Sequence, residues 1–135
     1  MRYAGPGNFF SLPNEIFFLG LSPSALVVYS FLLRCEDRET HQCWPSIRTI
    51  GKAVGMSENT VRKYIRQLEG CGLITTEPTE VITRGGQKRN GNLRFTLTPV
   101  REVIDRHYAQ KLEDLERDAE RQQAAKLLRD QKSLV

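Results

Sequence analysis

The chain has 135 residues, 39% of them hydrophobic and 27% charged, with a formal net charge of +4. Domains usually hold roughly 100 to 150 residues, so this length excludes two full domains and fits one compact domain with an appended segment. The longest apolar run, Ala25 to Leu33, includes a serine and falls far short of the ~20 residues that cross a bilayer, which excludes a helical membrane span.

The start of the chain lacks a basic stretch followed by an apolar run and a small-residue cleavage site, so a cytoplasmic protein is expected. Three cysteines without regular spacing argue against a disulfide framework and fit a reducing compartment. The charge is uneven: residues 1–100 hold 12 Lys+Arg against 8 Asp+Glu, whereas residues 101–135 hold 8 of each. The net positive charge therefore lies in the first hundred residues, where it attracts polyanions.

In chain order, Asn8 to Phe18 mixes aromatics with Pro13, Asn14 and Glu15, which predicts an extended entry and a short helix whose phenylalanines close one end of the core. Ser22-Pro23 is a helix start, a capping hydroxyl followed by a proline whose missing N–H would be unpaired anyway. Leu26, Tyr29 and Leu33 supply that helix with an apolar face, and the polar segment Cys35 to Cys43 reads as a loop. Ser46, after Trp44-Pro45, caps a second helix with Ile47, Ile50 and Val54 at helical spacing. Trp44 reads as a packing residue, with DNA contact as the alternative.

The second helix must stop at Gly55, because the left-handed conformation is cheap only for glycine, and Ser57 caps a third helix at once. Helices joined by so short a turn cross steeply, and Gly51 supplies the small residue the crossing needs. In the third helix, about Ser57 to Cys71, Val61, Ile65 and Leu68 face the core with Tyr64 at the margin. Glu58, Asn59, Arg62, Lys63, Arg66 and Gln67 are left outside, a basic face suited to base edges and phosphates.

After Cys71-Gly72, Leu73 to Thr76 begins a strand that Pro78 interrupts, with pairing expected to resume near Val81. Leu93, Phe95 and Leu97 alternate with polar residues as the returning strand of a hairpin. The expected tip, Gly85-Gly86-Gln87-Lys88-Arg89-Asn90-Gly91, carries cations and no acid.

Trp44-Pro45-Ser46, Ile50-Gly51-Lys52, Gly55-Met56-Ser57, Thr60-Val61-Arg62, Leu68-Glu69 and Gly72-Leu73-Ile74 together resemble a known family. It is the winged helix-turn-helix domain of bacterial transcriptional regulators and of replication initiators and replisome organisers from plasmids, phages and conjugative elements. The resemblance covers roughly residues 9–99. It implies an α+β, mainly α fold: a three-helix core plus a β-hairpin wing over residues 1–99, followed by a long charged helix over residues 100–135. Position by position it implies DNA contacts at Ser46, Ser57 and Thr60, and at the outward Arg62, Lys63 and Arg66. Gly51 departs from the alanine most often found there.

From residues and resemblance together, the expected DNA-binding set is Ser46, Arg48, Ser57, Asn59, Thr60, Arg62, Lys63 and Arg66, with Arg84, Lys88 and Arg89 on the wing. Cys35, His41, Cys43 and Cys71 lack the paired spacing of a structural zinc site, so no metal is expected. Neither His41 nor His107 has a nucleophile at motif spacing, and no phosphate-binding glycine loop is present. No enzyme and no cofactor are expected.

Residues from Val100 to about Gln131 contain no glycine or proline and alternate acids with bases, which predicts a long exposed helix. Ile104, Tyr108, Leu112, Leu115, Ala119 and Leu127 lie roughly along one face, while Gln122, Gln123 and Lys126 weaken the stripe. Ile104, Tyr108, Leu112, Leu115 and Ala119 are the expected dimerisation set, for a parallel or antiparallel pair. The alternatives are a first half packed on its own domain, or another protein bound at this helix. Three functions fit: a dimeric transcriptional regulator, a replication or maintenance factor of a mobile element, and a protein-interaction module that no longer touches DNA.

Overall fold

The computed structural model describes residues 9–133. A short 3₁₀ helix, Asn14–Leu19, ends at Gly20 with φ 65°. Pro13 precedes it, and its carbonyl accepts the Ile16 N–H at 3.1 Å. Only Ile16 of this helix is buried, while Phe9, Phe10, Phe17 and Phe18 are exposed, Phe17 and Phe18 to 72% and 75%. The expectation that these phenylalanines close the core is therefore wrong. Side chains three apart share a face of a 3₁₀ helix, so Ile16 and the half-buried Leu19 turn inward while Phe17 and Phe18 turn out.

Helix α1, Pro23–Cys35, starts where the sequence places it, with the Ser22 hydroxyl accepting the Ala25 N–H at 3.2 Å. Its buried face is Ala25, Val28, Tyr29 and Leu32, whereas Leu26 and Leu33 are half-buried. The helix is apolar almost all round, so its sequence does not phase the buried side and packing chooses it. The segment read as a loop contains a strand, β1 (Gln42–Cys43). Asp37 builds the turn before it, its carboxylate accepting the Glu39 N–H at 2.8 Å, and His41 holds φ 58°. A two-residue polar strand has no period to read and exists because a partner strand is there.

Helices α2 (Ile47–Val54) and α3 (Glu58–Gly70) follow, then β2 (Ile74–Glu77), β3 (Glu80–Ile82), β4 (Lys88–Asn90) and β5 (Arg94–Leu97). The expected single hairpin is two pieces. β1, β5 and β2 form a three-stranded antiparallel sheet in that order, and β3 with β4 forms a separate ribbon. Pro78 breaks one side. On the other side the Gly91 N–H donates to the Thr79 carbonyl at 2.7 Å, and a Cβ at Gly91 would lie 2.6 Å from Thr79 Oγ1. The ribbon turns over Thr83 to Gln87, the Gly86 N–H donating to the Thr83 carbonyl at 2.9 Å with Gly86 at φ 78°. Lys88, Arg89 and Asn90 thus belong to a strand and not to the tip.

Phe95 and Leu97 of β5 and Ile74 of β2 are buried with Val61, Ile65 and Leu68 of α3, Ile50 of α2 and the α1 face. Burial pushes the Cys43 thiol up to about 12, and its Sγ lies 3.7 Å from the Leu32 carbonyl. The chain divides into two units, the first ending at Val103 and the second beginning at Ile104. Helix α4, Val100–Ser133, runs through this boundary. Along it Val100, Val103 and Ile104 are buried, and Tyr108, Leu112 and Leu115 are exposed. Ile104 therefore does not belong to the exposed stripe with which the sequence grouped it. Among the described residues no helix is long and apolar enough to cross a membrane.

Candidate nucleic-acid interface

Two capping serines and two glycines set the geometry of α2 and α3. The Ser46 hydroxyl accepts the Thr49 N–H at 3.0 Å and caps α2; the Ser57 hydroxyl accepts the Thr60 N–H at 3.3 Å and caps α3. Each satisfies one of the donors that a helix start leaves unpaired. Gly55 ends α2 at φ 72°, a conformation that costs an L side chain roughly 1 to 2 kcal/mol. Gly51 acts through space. A Cβ there would stand 2.6 Å from the Met56 carbonyl oxygen, the backbone of the turn itself. The same turn is closed by the Met56 N–H donating to the Gly51 carbonyl at 2.9 Å.

With Val61, Ile65 and Leu68 buried, helical geometry turns Glu58, Asn59, Arg62, Lys63, Arg66 and Gln67 outward, and all six are exposed. Several are already oriented. Arg62 Nη1 donates to Asn59 Oδ1 at 3.3 Å, so the guanidinium and the amide lie side by side. The Ser22 hydroxyl donates to Gln67 Oε1 at 3.3 Å, which ties that side chain toward α1. Lys63 Nζ sits 5.3 Å from the centre of the Tyr64 ring, within cation–π range.

Thr60 is half-buried, its hydroxyl 2.8 Å from that of Ser57. Ser46 is likewise half-buried and donates to the Thr49 hydroxyl at 2.8 Å. These hydroxyls serve the caps first. Trp44 is half-exposed, and its carbonyl accepts the Asn92 side-chain amide at 3.1 Å, which fastens the return from the ribbon.

Arg48 is exposed, and one turn along α2 so is Lys52, which the sequence reading left out. Both line an open depression of about 460 Å³ with Met56, Ser57 and Glu58, at the start of α3. The i, i+4 spacing from Arg48 was the available signal.

On the ribbon Arg84, Lys88 and Arg89 are all exposed. Lys88 pairs with Ile82 and Arg89 with Val81. Side chains alternate across a strand, so Lys88 and Arg89 present to opposite faces and cannot both grip from one side. At the ribbon's foot Arg94 is bonded to Glu77 and is not offered outward.

A three-helix core whose second and third helices meet at a glycine turn, backed by a small sheet that projects a basic ribbon, decides the architecture. The fold is a winged helix-turn-helix. Residues 19–74 match the family model described as a helix-turn-helix domain. Among solved structures the chain resembles a "possible transcriptional regulator" from Methanosarcina mazei Go1, with TM-score 0.51 and 16% identity over 76% of this chain and 79% of that one. It also matches a MarR-family transcriptional regulator from Silicibacter pomeroyi, with TM-score 0.42 and 22% identity over 76% of this chain and 60% of that one. No curated protein matches the chain. In this fold α3 takes the position of the recognition helix and the β3–β4 ribbon that of the wing.

Among the described residues no three of His, Cys, Asp and Glu gather as a metal site. The Cys71 thiol donates to the Leu68 carbonyl at 3.3 Å, and burial raises the Cys35 thiol.

Proposed function

We propose that this protein binds double-stranded DNA sequence-specifically in the cytoplasm and regulates transcription by occupying its site. The observation that carries the reading is the outward face of α3: Asn59, Arg62, Lys63 and Arg66 all exposed on a helix whose opposite face is wholly buried. Such a helix enters the major groove with its N-terminal half forward, Asn59 and Arg62 reaching base edges and Lys63 beside them. Arg66, Arg48 and the capping hydroxyls of Ser46, Ser57 and Thr60 then face phosphates, and Arg84 and Lys88 carry the wing onto adjacent backbone or minor groove, with Arg89 on the ribbon's opposite face. The description of the Methanosarcina mazei protein as a possible transcriptional regulator agrees with a regulatory role.

Fluorescence anisotropy with a random duplex at low and high salt tests the binding. Affinity should fall steeply with salt, because each neutralised phosphate releases counterions. Salt-insensitive or absent binding would sink the proposal and leave a protein-interaction module. Selection from a random pool then tests the role: a palindrome supports a dimeric regulator, and direct repeats support a replication origin instead.

A further inference from the structure

Beyond the DNA-binding face, the second unit of the chain bears an exposed apolar stripe. Tyr108, Leu112 and Leu115 are 58%, 61% and 60% exposed, and Ala119 is exposed as well. Their spacing alternates four and three residues, so Leu112 and Ala119 take the a positions of a heptad and Tyr108 and Leu115 the d positions. Lys111 and Asp118 then fall on the g flank and Glu116 on the e flank.

On the face away from the stripe Arg117 reaches Glu113 at 3.7 Å and Asp114 at 3.5 Å, and the Gln110 amide donates to Asp114 at 3.2 Å. On the g flank, among the described residues, neither Lys111 nor Asp118 has an ion-pair partner. A stripe flanked by one free cation and one free anion on the same side is complementary to itself when reversed.

We propose that the stripe is covered by a second copy of this chain, lying antiparallel. Reversal sets Tyr108 against Ala119 of the second copy and Leu112 against Leu115, so a large side chain meets a small one at each end and two leucine layers fill the middle. Facing residues of matched total volume fill a seam without voids, whereas a parallel pair would stack tyrosine on tyrosine and alanine on alanine. The same reversal runs one g flank along the other and brings Lys111 to Asp118 twice, once from each copy. The apolar layers end where Gln122 and Lys126 enter the stripe, which fixes the register.

Cysteine cross-linking and sedimentation of the full chain test this. Oxidising a mixture of Tyr108→Cys and Ala119→Cys chains should give a disulfide-linked mixed dimer, with little self-linking of either variant and none in the native chain treated alike. Strong self-linking of both variants shows a parallel pair and overturns the proposal. By sedimentation, Lys111→Asp should weaken the dimer about tenfold and Asp118→Lys added to it should restore it. Leu112→Asp, at an exposed position that leaves the first unit intact, should give a monomer. A native chain that sediments as a monomer at high micromolar concentration, or a Lys111→Asp dimer as tight as the native one, overturns it equally.

Discussion

Replacing Gly51 by valine tests the crossing on which the reading head depends. The new Cβ would stand 2.6 Å from the Met56 carbonyl oxygen, and neither can rotate away, because the backbone fixes the one and contains the other. α2 and the turn must separate by several tenths of an ångström, and the Met56 N–H bond to the Gly51 carbonyl is strained with them. Overpacking of this kind costs roughly 1 to 3 kcal/mol, while valine regains only about 0.3 kcal/mol of helix propensity over glycine. The expected net loss is about 2 kcal/mol. For a unit of this size each kcal/mol lowers Tm by about 4 to 8 °C, so thermal unfolding should begin roughly 8 to 16 °C earlier. Ala53→Val is the control, exposed on the same helix, and should cost only the propensity difference of roughly 0.6 kcal/mol. Followed by circular dichroism, a Gly51→Val chain that melts with the Ala53→Val chain would refute the close approach. DNA affinity should fall further than stability in Gly51→Val, because α3 is tilted from its seat.

Arg62→Ala should relax sequence preference, whereas Lys88→Ala should weaken binding to all duplexes about equally and flatten the salt dependence; equal losses on selected and random DNA for both would refute that division. Ser57→Ala removes the cap of α3 and should cost about 1 kcal/mol in urea unfolding, an unchanged midpoint counting against the cap. Stability should hold through neutral pH and fall in alkali. Burial raises Cys43 from 9.0 and Tyr29 from 10.0 to about 12, so the fold keeps protons that the unfolded chain releases. That contribution is whole below pH 9 and is lost as pH climbs toward 12. Urea midpoints from pH 7 to 11 should show the decline, and in Cys43→Ala it should start nearer pH 10; a midpoint that holds to pH 11 in the native chain contradicts the burial argument.

The reading head was legible because its signals are local. Ser46, Gly55 and Ser57 name the helix boundaries by backbone chemistry, and Val61, Ile65 and Leu68 fix which side of α3 is buried, hence which residues face out. Gly51 was legible for the same reason. Two short helices joined by one turn leave little choice of crossing. The lack of glycine and proline after Pro99, with acids and bases alternating, likewise foretold the long helix.

Other features were decided only when distant segments met. The buried face of α1 could not be phased from a helix apolar on nearly every side, and it took α3 and β5 to select Ala25, Val28, Tyr29 and Leu32. β1 exists because Cys43 finds Phe95, more than fifty residues away. The phenylalanines around Asn14–Leu19 look like core by composition, yet the short helix turns Ile16 and Leu19 inward and leaves Phe17 and Phe18 outside. Strand alternation parted Lys88 from Arg89, which a list of basic residues joins. Sequence alone determined where helices start and stop, because capping and glycine conformation are properties of neighbouring residues. Tertiary structure decided which surfaces remained uncovered, because burial depends on what the rest of the chain brings to each face.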